Sequence, residues 1–318
     1  MRFSSREVRQ FSEQCFRAAG FSKGTSQTYA ESIWWSEVHN GSGLTTLYSL
    51  LDDLPSLKVG KMELCNPTST ISIINNRNQP SIVSGKPALD LSSGKARKNS
   101  IGIAYSTISD SNKCKNIIGF LSYKAAKRGL VSLLLYTSSN GKTTTFIGKP
   151  SEPRPEIMKF ELDSLAEGYR RLENTIHNKS KAEFISPYLE IDVGEQEENT
   201  FSYDDSKLLN ILLSKSIEEN NEIKFNRTSG FIMICLDLQH PIYSNESRQV
   251  VDEFINCHKT KADEIFDPKS IKKEEERLIA EGLDISENVW EEIFDFSRGI
   301  YAPSFEGSTQ DAGDDLTN

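Results

Sequence analysis

The chain has 318 residues, 36% of them hydrophobic and 26% charged, with a net charge of -9 and a pI near 5.2. A chain of this length buries a sizeable core in one or two domains, and the composition excludes a fibrous or wholly disordered protein. The acidic balance gives no long-range pull toward phosphate backbones or anionic lipid, so neither nucleic acid nor a membrane is an expected partner.

The opening residues, MRFSSREVRQFSEQ, lack the apolar core of a signal peptide, and apolar runs such as Leu130 to Tyr136 are far too short to span a bilayer, so a cytoplasmic location is expected. Val8, Phe11, Cys15 and Phe16 recur at helical spacing behind Ser4 or Ser5 as N-cap, and Gly20 closes this first helix. A second helix is predicted over about 26–38 and a third over about 44–54, stopped by Pro55. The β-branched stretches STISIINN and PSIVSG, between Cys65 and Val83, predict short strands. Then comes a strand in IGIAYSTIS, a helix across GFLSYKAAKR ended by Gly129, and the strand LVSLLLY. GKPSEPRPE reads as a loop, KLLNILLSKSIEE as a helix and GFIMICLDL as a buried strand. NESRQVVDEFINCHKT is an amphipathic helix; IKKEEERLIAEGLDI is a charged one ended by Gly282; SENVWEEIFDFS opens on Ser286 as N-cap, and the end of the chain is a polar tail.

Few motifs carry chemistry. Gly141-Lys142-Thr143 follows a strand, but the glycine a P-loop needs five residues earlier is Tyr136. Gly41 and Gly43 form half a dinucleotide fingerprint, with Thr46 in place of the third glycine and a helix where a strand should precede. The five cysteines are scattered without a CxxC pair and read as reduced, mostly buried thiols, and the four histidines have no metal-ligand spacing, so no metal is expected. His39 stands apart, at a helix end beside Gly41, where an imidazole serves either as general acid or as partner of the last carbonyls.

GFIMICLDLQHPI, SRQVVDEFINCHKTK and EIFDPKSIKKEEERLIAEGLDISENVWEEIFDFS together resemble the end of the malate/L-lactate/sulfolactate dehydrogenase family, NAD(P)-dependent keto-acid reductases with a non-Rossmann fold. AAGFSKGTSQTYAESIWWSEV resembles the family's N-terminal helices, and ISDSNKCKNIIGFLSYKAAKRGLVSLLLYTSS resembles its strand, substrate-side turn, helix and following strand. The likeness spans roughly residues 3 to 302. It implies an α/β fold in which helices from both chain ends pack together against a mixed, mainly antiparallel sheet running from about Cys65 to Leu238. It also implies a homodimer. The expected organisation is an N-terminal helical segment (1–60), a sheet-containing central domain (61–240), C-terminal helices packing with the N-terminal segment (241–302) and a tail (303–318).

In that family the turn after the second helix reads Ser-His-Gly, with the histidine as proton donor and an arginine four positions on as carboxylate ligand. Aligned on Gly43, this chain has Ser42 for the histidine and Thr46 for the arginine, and Cys114 falls where a second family histidine lies. On the cofactor side, Phe146 to Pro150 is a contracted echo of the family's Gly-Thr-Asn-Pro turn and supplies Gly148. The Lys-Gly turn keeps Lys207 but has Leu208 for the glycine. A serine hydroxyl neither donates a proton near neutral pH nor holds a carboxylate. Two functions of different class follow. One is an NAD(P)-dependent oxidoreductase acting on a small molecule, with a rebuilt site of His39, Ser42 and Cys114, Thr46 at the substrate, and Lys207 and Gly148 at NAD or NADP. The other is a catalytically inactive relative acting as a binding or partner subunit.

Overall fold

A computed structural model describes residues 2–109, 114, 117–137, 143–151, 154–162, 230–243 and 262–300, with residues 245, 248, 249, 252, 255, 256, 259 and 260. The chain forms two units, residues 1–58 with 271–318, and residues 59–270.

The first unit is helical and joins the two chain ends. Helix α1 (Ser5–Ala18) starts at a complete capping box: Ser4 Oγ accepts the Glu7 N–H, and the Glu7 carboxylate accepts the Ser4 N–H at 2.8 Å. The Ser4 hydroxyl, which donates to the Glu7 carboxylate at 2.7 Å, and the Ser4 N–H hold that carboxyl below its ordinary pKa. Helix α2 (Lys23–Asn40) starts at Ser22 and α3 (Gly43–Leu50) follows it directly. From the other chain end come the charged helix α6 (Pro268–Glu281), which enters this unit at Ile271, and α7 (Glu287–Ser297). Two-residue strands β1 (Arg2–Phe3) and β10 (Leu283–Asp284) pair antiparallel, and Trp290 of α7 stacks on Phe3 at 3.7 Å and meets Phe11 edge-on at 5.0 Å. Each such ring pair contributes about 0.5–1.5 kcal/mol beyond its buried area. Cys15, fully buried, donates its thiol to the Ile293 carbonyl at 3.3 Å, which is packing rather than reactivity.

The second unit is an eight-stranded sheet. Its strands are β2 (Glu63–Cys65), β3 (Ile71–Asn75), β4 (Ile101–Thr107), β5 (Val131–Thr137), β6 (Thr143–Lys149), β7 (Glu156–Leu162), β8 (Gly230–Leu236) and β9 (Glu264–Phe266). Their order is β2-β3-β4-β8-β5-β6-β7-β9, and every neighbouring pair is antiparallel except β3 and β4. The expected mixed, mainly antiparallel α/β sheet is therefore what forms. The central strand β8 is buried along almost its whole length, as the unbroken apolar run Phe231 to Leu236 requires of a strand with neighbours on both sides.

Helices α4 (Ser81–Asn99) and α5 (Gly119–Lys127) lie on one face of this sheet. A row of small residues crosses four strands in register, Gly102, Cys235, Ser132 and Gly148. The helices press against that row: a Cβ on Gly102 would lie 1.9 Å from the Ser92 carbonyl, and one on Gly148 2.7 Å from the Ser122 carbonyl.

Two sequence expectations change. PSIVSG, expected as a strand, is the first turn and a half of α4, starting after Pro80. Its serines, Gly85 and Pro87 are poor helix residues, but Ile82, Val83, Ala88 and Leu89 give a buried stripe, and packing overrides propensity. Residues 264–266, expected among the C-terminal helices, extend the sheet beyond Leu238 by pairing with β7. Three residues are too few to show a strand's period. The predicted helix KLLNILLSKSIEE lies outside the described residues.

Candidate functional site

The α2–α3 turn is built by the sequence HNGSG. Gly41 takes the left-handed conformation (φ 62°) that ends α2, and its N–H donates to the Glu37 carbonyl at 3.0 Å. Gly43 starts α3 hard against α2: a Cβ there would sit 2.0 Å from the Ile33 carbonyl oxygen. This glycine is required for helix approach, not for phosphate.

Ser42, the position aligned with the family histidine, lies in an amide and hydroxyl cluster. Asn40 Oδ1 accepts the Ser42 N–H at 3.1 Å, the Ser42 hydroxyl, and the Ser36 hydroxyl at 3.0 Å; Ser36 Oγ is 3.2 Å from Ser42 Oγ. Thr46 is one turn on in α3, 6% exposed, with its N–H on the Ser42 carbonyl. Ser42 and Thr46 thus present hydroxyl groups at this turn, Ser42 beside the Asn40 amide.

His39 is held away from acid chemistry. Its ring stacks on Trp35 at 4.0 Å, and Nδ1 is 2.6 Å from the Trp35 carbonyl. A carbonyl only accepts, so Nδ1 carries the proton and the tautomer is fixed. Burial lowers its pKa to about 4, with the Trp35 carbonyl pulling weakly the other way. At pH 7 only about one molecule in a thousand is protonated.

Sequence reasoning passed over Glu37. Its carboxylate reaches from α2 to accept the Leu44 N–H at 2.8 Å and also the Gly43 N–H, serving as the acidic cap of α3. Burial raises its pKa, and those two N–H groups pull it back. The available signal was a carboxylate six residues before the glycine that opens a helix.

The other candidates belong to the second unit or lie outside the described residues. Cys114 is 1% exposed and reduced, close enough to the Tyr136 hydroxyl to add to the burial that pushes that phenol up. Gly148 is inside β6, paired with Ser132 and Ile157, not at a turn. Its Cα side is filled: a Cβ would lie 2.6 Å from Ser132 Oγ. The missing Cβ of Gly148 lets α5 approach the strand, a Cβ there also lying 2.7 Å from the Ser122 carbonyl oxygen. Lys207 lies outside the described residues. Among the described residues no group of histidine, cysteine and carboxylate side chains could hold a metal ion, and no helix is long and apolar enough to cross a membrane.

The titration of His39 sets a stability expectation. Its pKa in the fold is below the 6.5 of a free imidazole, so the unfolded chain binds the extra proton. The stabilisation is complete above about pH 6.5 and is lost as pH falls toward 4. Urea unfolding should show a loss of up to about 2 kcal/mol between pH 7 and pH 5 from this group. His39→Gln should flatten that part of the profile.

No family model matches the sequence, and comparison with curated proteins finds none that is similar. Solved structures do share its fold. A dehydrogenase from Sinorhizobium meliloti matches with TM-score 0.59 at 12% identity, over 93% of this chain and 99% of its own. Malate dehydrogenase from Pyrococcus horikoshii matches at 0.57 and 14%, over 94% and 95%. Sulfolactate dehydrogenase from Methanocaldococcus jannaschii matches at 0.56 and 12%, over 95% and 98%. The chain thus has a malate/sulfolactate dehydrogenase-like fold.

Proposed function

We propose that this chain is a divergent oxidoreductase-family protein that keeps the dehydrogenase fold without keto-acid reduction at the α2–α3 turn, and that it acts as a binding or partner subunit within a homodimer. The observation that carries this reading is His39, tied through Nδ1 to the Trp35 carbonyl and neutral at physiological pH. Reducing a keto acid delivers a proton to the carbonyl oxygen as hydride reaches the carbon, and a cation must hold the carboxylate. Ser42 and Thr46 supply neither. Loss of a positioned acid alone costs about 10²- to 10⁴-fold in rate, and loss of the carboxylate's charged partner weakens binding further.

The expected result is that purified protein, given NADH or NADPH with a panel of 2-keto acids, oxidises neither cofactor above the rate without protein. Turnover with a keto acid would overturn the reading.

A second reading is favoured by the near-complete match to dehydrogenase chains. Here the protein is a nicotinamide-dependent oxidoreductase of altered specificity, using His39, Ser42 and Cys114, with Thr46 at a small-molecule substrate and Lys207 and Gly148 at NAD or NADP. It requires micromolar cofactor binding, measured by fluorescence, that Lys207→Ala abolishes. No binding at millimolar cofactor would exclude it.

A further inference from the structure

Helix α4 begins inside the protein without a cap. Pro80 occupies the N-cap position and has no side chain that accepts a hydrogen bond. Ser81 and Ile82 are 3% and 6% exposed, and among the described residues no acceptor meets their N–H groups. Leaving such buried donors unmet is unfavourable, because they have lost water and gained no acceptor.

Two buried side-chain atoms of this loop and first turn are also without a partner, Ser81 Oγ and Asn76 Oδ1, the latter on a residue with no exposed surface. The Asn76 amide is not free to turn over. Its Nδ2 donates to the Gln79 carbonyl at 2.7 Å and to the Pro80 carbonyl at 3.1 Å, and its own N–H donates to Thr107 Oγ1 at 2.9 Å. With the nitrogen committed to the N-cap residue, the oxygen remains at the helix start as an acceptor.

The helix start therefore offers three donors and one fixed acceptor. Sulfate or a carboxylate would satisfy the donors but has no proton for Asn76. A metal cation would suit Asn76 but is repelled by the positive end of the helix. A phosphate group that keeps one proton meets all four: its oxygens accept from both N–H groups and the Ser81 hydroxyl, and its P–OH donates to Asn76 Oδ1. The place in the fold agrees. The loop leaves the carboxyl end of β3, beside the end of β4, and these are the parallel strands joined through α4, where open α/β sheets place ligands. Arg77 and Asn78 at the loop tip are exposed, in left-handed backbone (φ 51° and 57°). The Arg77 guanidinium is engaged by Glu63.

We infer that the N-terminus of α4, with Asn76 and Ser81, binds a protonated phosphate group, either free phosphate or a phosphate monoester. The site stands on the second unit alone and does not depend on the reading of the α2–α3 turn.

The test is titration of the full chain with inorganic phosphate, followed by calorimetry and by the amide signals of Ser81 and Ile82. Phosphate should bind saturably and shift both signals. Sulfate at equal ionic strength should bind at least about tenfold more weakly, because Asn76 Oδ1 loses its donor and faces a sulfate oxygen. Ser81→Pro, which the first helical position accommodates but which has neither N–H nor hydroxyl, should weaken phosphate by about tenfold or more with an unchanged circular dichroism spectrum. If that variant does not fold, Ser81→Ala should still weaken binding several-fold. Glycerol 3-phosphate separates the sources: tighter binding than phosphate assigns the site to a monoester, weaker binding to free phosphate. Absence of saturable phosphate binding, equal affinity for sulfate, or wild-type affinity in the folded Ser81 variant would overturn the assignment.

Discussion

Gly102→Ala should destabilise the protein by about 3 kcal/mol or more, the upper end of what overpacking costs. The added methyl would lie 1.9 Å from the Ser92 carbonyl oxygen and 2.7 Å from the Ala96 nitrogen. Both are backbone atoms of α4, so no rotamer change relieves the clash and the helix must lift off the sheet. Lifting it opens contacts along β4 and also disturbs Cys235, which meets Ser92 Oγ at 3.4 Å. Gly94→Ala is the matched control. Gly94 is in the same helix, exposed, with nothing within 4 Å of a new Cβ, and alanine there should gain about 0.5–1 kcal/mol of helix propensity. Thermal unfolding of the two variants should therefore move in opposite directions. A midpoint for Gly102→Ala within about 2 °C of wild type would show that α4 does not press on the sheet as described.

Arg97→Ala should be the next most costly, because it strands a buried charge. Asp237, 5% exposed at the end of β8, places Oδ2 2.6 Å from Arg97 Nη1, and Oδ1 accepts the Gln239 N–H at 3.1 Å. Arg97 also donates to the Arg128 carbonyl, so one guanidinium ties the ends of α4, α5 and β8 together. Removing one partner of a fully buried pair costs about 3–5 kcal/mol. Arg97 itself is about half exposed, so water screens the stranded carboxylate in part and the expected loss is about 2 kcal/mol. Asp237→Ala made in addition should restore part of that loss in urea unfolding, since the charge that needed a partner is gone. A double variant as unstable as the sum of the singles would rule out direct coupling.

What the sequence revealed was local chemistry. Ser4 with Glu7 three residues later is a capping signature that depends on nothing beyond one helical turn, and it forms as read. Gly20, Gly129 and Gly282, read as helix stops, all adopt positive φ, at 91°, 77° and 76°. The apolar run after Gly230, read as a buried strand, is one with neighbours on both sides. What escaped depended on partners distant in the chain. PSIVSG carries β-branched residues and helix breakers, and is helix where Ile82 and Val83 are buried and the Ser84 hydroxyl accepts from Ser106 of β4. Gly148 looked like part of a turn because Pro150 follows it, whereas its smallness serves the approach of α5. At the α2–α3 turn the serine at position 42 was plain from the sequence, but Glu37 as the cap of α3 requires knowing that Gly43 brings the two helices into contact.

The position of β8 has a consequence for how the chain is made. Strands β4 and β5 never touch each other; each pairs only with β8 on that side, Ile101 and Val131 both opposite Leu236. A nascent chain that has emerged as far as β7 can form the pieces β2-β3-β4 and β5-β6-β7, but it has no seam between them. Their two bare inner edges wait for a strand translated much later. Pairings of such long sequence separation fold slowly, and unpaired edges in the interval invite association with other chains. Ribosome-bound chains halted before Gly230 should accordingly engage chaperones strongly, and release should follow closely on emergence of Leu236.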